Sequence, residues 1–237
     1  MQRFLLLLTV CLLLQPGALI AKAGKNAPRP NFLFLLVDDL GWADLGCYGS
    51  TFHETPHLDR LAKEGVRFTD AYTAASICSP TRASLMTGKH PVRVDITDWI
   101  PGSSGQGRRM KTPRDTHQLA LEEVTIAEAL KEGGYSTFYT GKWHLGGKAF
   151  SPDKQGFDEY YDPHHDPSKG SPGKGRTTGR KHATIDLTRE TKSFIRRNRD
   201  VPFFAYLAYY DIHTPIIPEK NYQEHYTRKA ALLGPSP

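Results

Sequence analysis

The sequence predicts an α/β chain built on a mainly parallel sheet, and three observations carry that prediction. Asn31–Val37 and Pro202–Tyr210 are apolar runs of strand length and Tyr135–Tyr139 reads as a strand between them; Asn31–Val37 has the character of a strand covered on both faces. Helical segments lie between them, which favours right-handed crossovers and parallel pairing. Each run gives way to polar residues: Asp38-Asp39, then Thr140-Gly141-Lys142-Trp143-His144, then Asp211-Ile212-His213. Open α/β sheets gather ligands at the carboxyl ends of their strands, so these residues are expected to meet in one crevice.

Along the chain, Gln2 and Arg3 precede an apolar run from Phe4 to Leu14, then Pro16-Gly17 and the small-residue ending Ala21-Lys22-Ala23. Such a pattern reads as a secretory signal peptide over residues 1–23, too short to span a bilayer. After the first strand, Thr55-Pro56 has helix-start chemistry, His57–Glu64 carries Leu58 and Leu61 on one face, and Gly65 ends it. Val66–Ala74 is expected to be a second extended segment delivering Cys78. Ser79-Pro80 opens a short helix that Gly88 closes. Thr125 starts another helix, ended by Gly133-Gly134, and Ile185–Arg197 is expected to be an amphipathic helix with Phe194 and Ile195 inward. Ile100–Gln118 and the Gly-, Pro- and Lys-rich stretch Asp162–Lys181 read as loops. The second contains His164-His165-Asp166, but its prolines and glycines impose no fixed ligand geometry.

Charge and cysteine usage narrow the class. The chain has 31 basic and 25 acidic residues, a net charge of +6. Cleavage after Ala23 removes Arg3 and Lys22, leaving 29 against 25, a mild +4 that suits acidic substrates without demanding nucleic acid. No zinc-knuckle, helix-turn-helix or RNA-binding signature is present. Only Cys47 and Cys78 remain after the leader, so there is no disulfide framework. A location outside the cytoplasm, secreted or periplasmic, and no stable membrane insertion are expected.

The stretch that carries chemistry is Cys78-Ser79-Pro80-Thr81-Arg82, continued by Ala83-Ser84-Leu85-Met86-Thr87-Gly88. By itself it leaves two readings open. A thiol at a helix N-terminus with an arginine one turn later is poised for anion chemistry; a small buried thiol before a helix needs no chemistry. Asp38-Asp39 is equally open between capping acids and hard-cation ligands. Lys142 and His144 read alone as surface residues, and His213 as a hydrogen-bonded ring.

Taken together the motifs resemble the type I, formylglycine-dependent sulfatases. Cys-x-Pro-x-Arg followed by Ala-Ser-Leu-Met-Thr-Gly is similar to the signature in which the cysteine is oxidised to Cα-formylglycine. Asn31–Gly49 resembles the family's metal-binding segment, Gly134–Gly146 its second signature, and Pro152–Asp158 and Pro202–Pro215 also fit. The resemblance covers most of Pro30–Pro218. It implies the alkaline phosphatase-like fold, a three-layer sandwich around a mainly parallel mixed sheet. It implies that Cys78, Arg82, Lys142, His144 and His213 are catalytic and that Asp38, Asp39 and residue 78 hold Ca²⁺ or Mg²⁺. Arg82 would orient the formylglycine, Lys142 bind sulfate, His144 act as base, and His213 contact the sulfate or protonate the leaving oxygen.

The implied function is sulfuric ester hydrolysis of a sulfated carbohydrate, after maturation by a formylglycine-generating enzyme. Two alternatives stand beside it: a formylglycine-dependent phosphoesterase or phosphonate hydrolase, and an inactive remnant that only binds sulfated glycans. The family also needs a later Asp-Asn metal pair and a second sulfate-binding lysine. No Asp-Asn pair occurs in the sequence, so residues 24–237 are expected to be an incomplete N-terminal catalytic domain, truncated or frame-shifted.

Overall fold

In the computed structural model the described residues are 29–102, 109–110, 115–163 and 183–234. The leader and the His164-His165-Asp166 stretch lie outside them. Within the unit Asn31–Pro237, the architecture is a four-stranded sheet between helices. The strands are β1 (Phe32–Val37), β2 (Ser136–Gly141), β3 (Glu159–Tyr161) and β4 (Phe203–Tyr209), and the order across the sheet is β1-β4-β2-β3. All three pairings are parallel.

Five helices matter below: α1 (Pro56–Glu64), α2 (Cys78–Thr87), α3 (Ile126–Glu132), α4 (Ala183–Arg197) and α5 (Lys220–Leu233), with a 3₁₀ turn at Pro91–Val94. On one sheet face, Ala83 and Met86 of α2 and Ala127 of α3 join Tyr139, Phe204, Tyr206 and Ala208 in the larger core cluster. On the other, Phe194 of α4 stacks on Phe138, with ring centroids 4.8 Å apart, beside Phe203 and Ala205. Strand residues alternate faces, so both faces of the central strands are sealed and β4 is almost wholly buried. The inward stripe of α4 is Ala183, Leu187, Thr191 and Phe194, the spacing of one helical face. Ile195 is partly buried against the same cluster.

Local chemistry fixes the ends of these elements. Thr125 and Glu128 form a capping box at the start of α3, satisfying two orphan N–H groups. Gly88 closes α2 at φ 67°, in the left-handed region. At Gly141, φ is 100° and a Cβ would lie 1.8 Å from the carbonyl oxygen of Ala208. Only glycine lets β2 come this close to β4 where β2 ends.

Two expectations need correction. At the sheet edge β1 is not covered on both faces, since Phe32, Leu33 and Leu35 are exposed. Val66–Ala74 forms no strand: Val66, Phe68 and Tyr72 are exposed and the segment has no ladder partner among the described residues. Leu58 and Leu61 share a face of α1, yet none of that helix's residues is buried. The sheet as described holds no antiparallel strand and includes β3, which is only three residues long.

Candidate active site

The sheet order places the polar strand ends side by side. β4 lies between β1 and β2, with Val37 opposite Tyr209 and Gly141 opposite Ala208. The pairing continues past the strands. Asp38 N–H donates to the Asp211 carbonyl at 3.1 Å, Ile212 N–H to the Asp38 carbonyl at 2.8 Å, and Lys142 N–H to the Ala208 carbonyl at 3.0 Å. Asp38, Lys142 and the Asp211–His213 turn therefore leave the sheet at one edge, as the strand pattern predicts.

Asp38 is the centre of charge there. It is 6% exposed, and Arg82 of α2 donates to its Oδ1 at 3.0 Å. The ammonium of Lys142 closes on Oδ2. Burial pushes the Asp38 carboxyl up, but Arg82 and Lys142 outweigh it and hold it below the usual aspartate value. Arg82 also donates to the Lys142 carbonyl at 2.5 Å, and so does the Tyr139 hydroxyl, at 2.5 Å. Tyr139 packs edge-on against Trp143, whose indole N–H donates to the Phe150 carbonyl at 2.8 Å. Buried aromatic contacts on both sides thus hold the Lys142–His144 turn in place.

His144 has φ 57°, a left-handed backbone uncommon outside glycine. Its Nε2 lies 2.5 Å from the Ile100 carbonyl oxygen. Because a carbonyl only accepts, Nε2 carries the hydrogen and Nδ1 has the lone pair. Nδ1 is buried and has no partner among the described residues. Burial, the largest cause, holds the imidazole pKa below its ordinary value although the Ile100 contact opposes it. His213 stands at the rim, its Nδ1 2.7 Å from the Thr214 carbonyl and its Nε2 3.9 Å from Asp39 Oδ2. Asp39, at φ 63°, is exposed.

Cys78 is the first residue of α2 and is a half-buried free thiol. Arg82 follows it by one turn. The next residue, Ser79, is fully buried and its Oγ accepts from Ile100 N–H at 3.1 Å. Asp38, Arg82 and Lys142 are therefore in direct contact, Cys78 and His144 are connected through Ser79 and Ile100, and His213 joins through Asp39.

The ligand set for a divalent ion is not assembled in the same way. Among the described residues no three His, Cys, Asp or Glu side chains are disposed to hold a metal. Both oxygens of Asp38 are shared between Arg82 and Lys142, and Asp39 faces His213. As arranged, Asp38, Asp39 and Cys78 do not fit an ion.

Ser79, Tyr139 and the main chain of Ile100 were not among the residues expected from sequence. Ser79 occupies the free position of Cys-x-Pro-x-Arg, Tyr139 reads as strand core, and a main-chain carbonyl leaves no mark in a sequence.

Comparison with known proteins decides the family. The sulfatase family model matches residues 30–232. The chain belongs to the sulfatase family. Human N-acetylgalactosamine-6-sulfatase is 37% identical over 223 residues, covering 83% of the chain and 42% of that relative. Human arylsulfatase A is 46% identical over 142 residues, 58% of the chain and 26% of that relative. Among solved structures, Ps i-CgsB in complex with k-i-k-neocarrahexaose superposes with a TM-score of 0.68 at 29% identity, covering 86% of the chain and 49% of that protein. The chain thus spans about half the length, or less, of the sulfatases it matches. The sulfatase neighbours share the α/β architecture with a parallel sheet, as the resemblance implied.

Proposed function

We propose that this chain carries catalytic machinery for hydrolysis of sulfate esters on a sulfated carbohydrate, with residue 78 converted to formylglycine. The observation that carries the reading is the convergence of Asp38 and Lys142 with Arg82 of α2, the helix that Cys78 begins, in a chain of sulfatase sequence. N-acetylgalactosamine-6-sulfatase and the neocarrahexaose complex supply the carbohydrate half of the proposal.

A sulfate ester presents negative oxygens that repel a nucleophile, so fixed cations near residue 78 lower the barrier. Lys142, whose side chain is 13% exposed, is the cation that meets the ester; Arg82, at 3%, holds Asp38 and the Lys142 carbonyl in place. Formylglycine supplies a hydrated aldehyde, one hydroxyl for attack on sulfur and the other for release of sulfate. His144 takes a proton at Nδ1, since Nε2–H is committed to Ile100. His213 presents Nε2 toward the rim, where it contacts the sulfate or serves the leaving oxygen. The Ca²⁺ or Mg²⁺ expected from the resemblance finds no closed ligand set among the described residues.

Export to a secreted or periplasmic location and maturation by a formylglycine-generating enzyme complete the proposal, on the strength of residues 1–23 and of Cys78-Ser79-Pro80-Thr81-Arg82. Among the described residues no helix is long and apolar enough to cross a membrane. Turnover of an aryl sulfate and an aryl phosphate by matured chain and by its Cys78→Ala variant tests the reading. Sulfate release that the variant lacks supports it, and preference for the phosphate overturns it in favour of a phosphoesterase.

A further inference from the structure

We infer that Ser79 is a positioning residue that fixes the imidazole of His144 through the main chain of Ile100. The inference rests on the reading of His144 as the base of the proposed hydrolysis.

Ser79 and His144 are far apart in sequence and belong to different elements, α2 and the turn after β2. Ile100 connects them: its N–H donates to Ser79 Oγ at 3.1 Å and its carbonyl accepts from His144 Nε2 at 2.5 Å. Ser79 is fully buried, so an Ile100 N–H that lost this acceptor would have no water at that point to replace it. The same segment is held from its other side, where Thr97 and Asp98 N–H both donate to Asp115 Oδ1, at 2.9 and 3.2 Å. Trp99 N–H donates to Asp98 Oδ1 at 2.8 Å; at Ile100 itself the Ser79 hydroxyl helps to set where the carbonyl points.

That direction matters because His144 sits in a strained left-handed conformation, which persists only where surrounding contacts over-determine it. The Ile100 carbonyl holds the ring with hydrogen on Nε2 and the lone pair on Nδ1. Ser79 immediately follows residue 78 in the first turn of α2. One side chain therefore ties the base to the same turn that carries the modified residue, and a shift of α2 carries both. The second position of Cys-x-Pro-x-Arg acquires a role that side-chain contact with substrate would not reveal.

The test is NMR of the full chain labelled with ¹⁵N at histidine, the His144 signal being assigned by its loss in His144→Gln. In wild-type protein the expected result is a protected Nε2–H proton on His144. In Ser79→Ala the proton should exchange with solvent about tenfold faster or more, the scale set by losing one buried hydrogen bond. Ser79→Thr, which restores the hydroxyl, should recover protection, whereas Ser79→Val, of matched volume, should not. Protection unchanged in Ser79→Ala and Ser79→Val overturns the inference. So does hydrogen on Nδ1 of His144 in wild-type protein, a readout that needs no variant at position 79 to fold. None of these measurements depends on turnover, so a chain that fails to cleave sulfate esters would count against the proposed function and leave this result standing.

Discussion

Lys142 and Asp38 form an ion pair across 104 residues of sequence, reaching past the end of β4 to close the gap between the outer strand β1 and the inner strand β2. With Arg82 on the second carboxylate oxygen, the pair ties α2 to two strands at the carboxyl edge of the sheet.

The two cations are unequal, and their removal should show it. Arg82→Met leaves a 6% exposed carboxylate with half its compensation, and should lower unfolding free energy by roughly 3–5 kcal/mol. Lys142→Met removes the more exposed partner and should cost about 1–3 kcal/mol. Urea unfolding of both variants checks the order; a larger loss for Lys142→Met contradicts it.

Two groups give the protein a pH-dependent stability of known sign. The Asp38 pKa is held below the ordinary aspartate value of 3.8, so the unfolded state binds the proton first and this stability is lost as pH falls below about 4. The His144 pKa is held below 6.5, so stability also declines as pH falls from 6.5 toward the lowered value, then levels. Unfolding followed from pH 8 to pH 3 should show both limbs. Asp38→Asn should shrink the lower one, to which Asp153 and Asp158 also contribute, and His144→Gln should flatten the upper one.

These contacts mark how far the sequence can be read. β1, β2 and β4 were legible as strand-length segments, α3 by its Thr125–Glu128 capping box, α4 by its apolar stripe and α2 by the glycine that closes it. Val66–Ala74 has strand-like composition, yet a strand requires a partner, and Val66, Phe68 and Tyr72 found none among the described residues. β3 was too short to read, since its three residues are ordered by pairing Glu159 with Phe138. α5 was missed because no residue in it is buried, so no apolar stripe marks it. At the site, motifs located Asp38, Cys78, Arg82, Lys142, His144 and His213. The Asp38–Lys142 pair depends on strand order, and the Ile100 link on main chain, neither of which composition encodes.

Gly141 should tolerate no side chain. Gly141→Ala would combine left-handed strain of about 1–3 kcal/mol with overpacking of about 1–3 kcal/mol, because its Cβ meets the Ala208 carbonyl oxygen at 1.8 Å. A loss of roughly 2–6 kcal/mol is expected in chemical denaturation, and loss of the Lys142–Asp38 pair with it. Wild-type stability in this variant would show that β2 and β4 are not so closely apposed.

Divalent ions should do little to the chain as it stands. A site saturated 100-fold above its dissociation constant would add about 2.7 kcal/mol, a Tm rise of several degrees. With Asp38 committed to Arg82 and Lys142, Ca²⁺ and Mg²⁺ should leave the Tm unchanged in calorimetry. A rise of several degrees would show that Lys142 yields Asp38 to the ion.

If residue 78 acts as an aldehyde, peptide mass spectrometry of the protein from its natural host should find the peptide spanning Cys78 to Arg82 about 18 Da lighter than its cysteine form, the mark of formylglycine. An unmodified thiol at position 78 in that material would contradict that role.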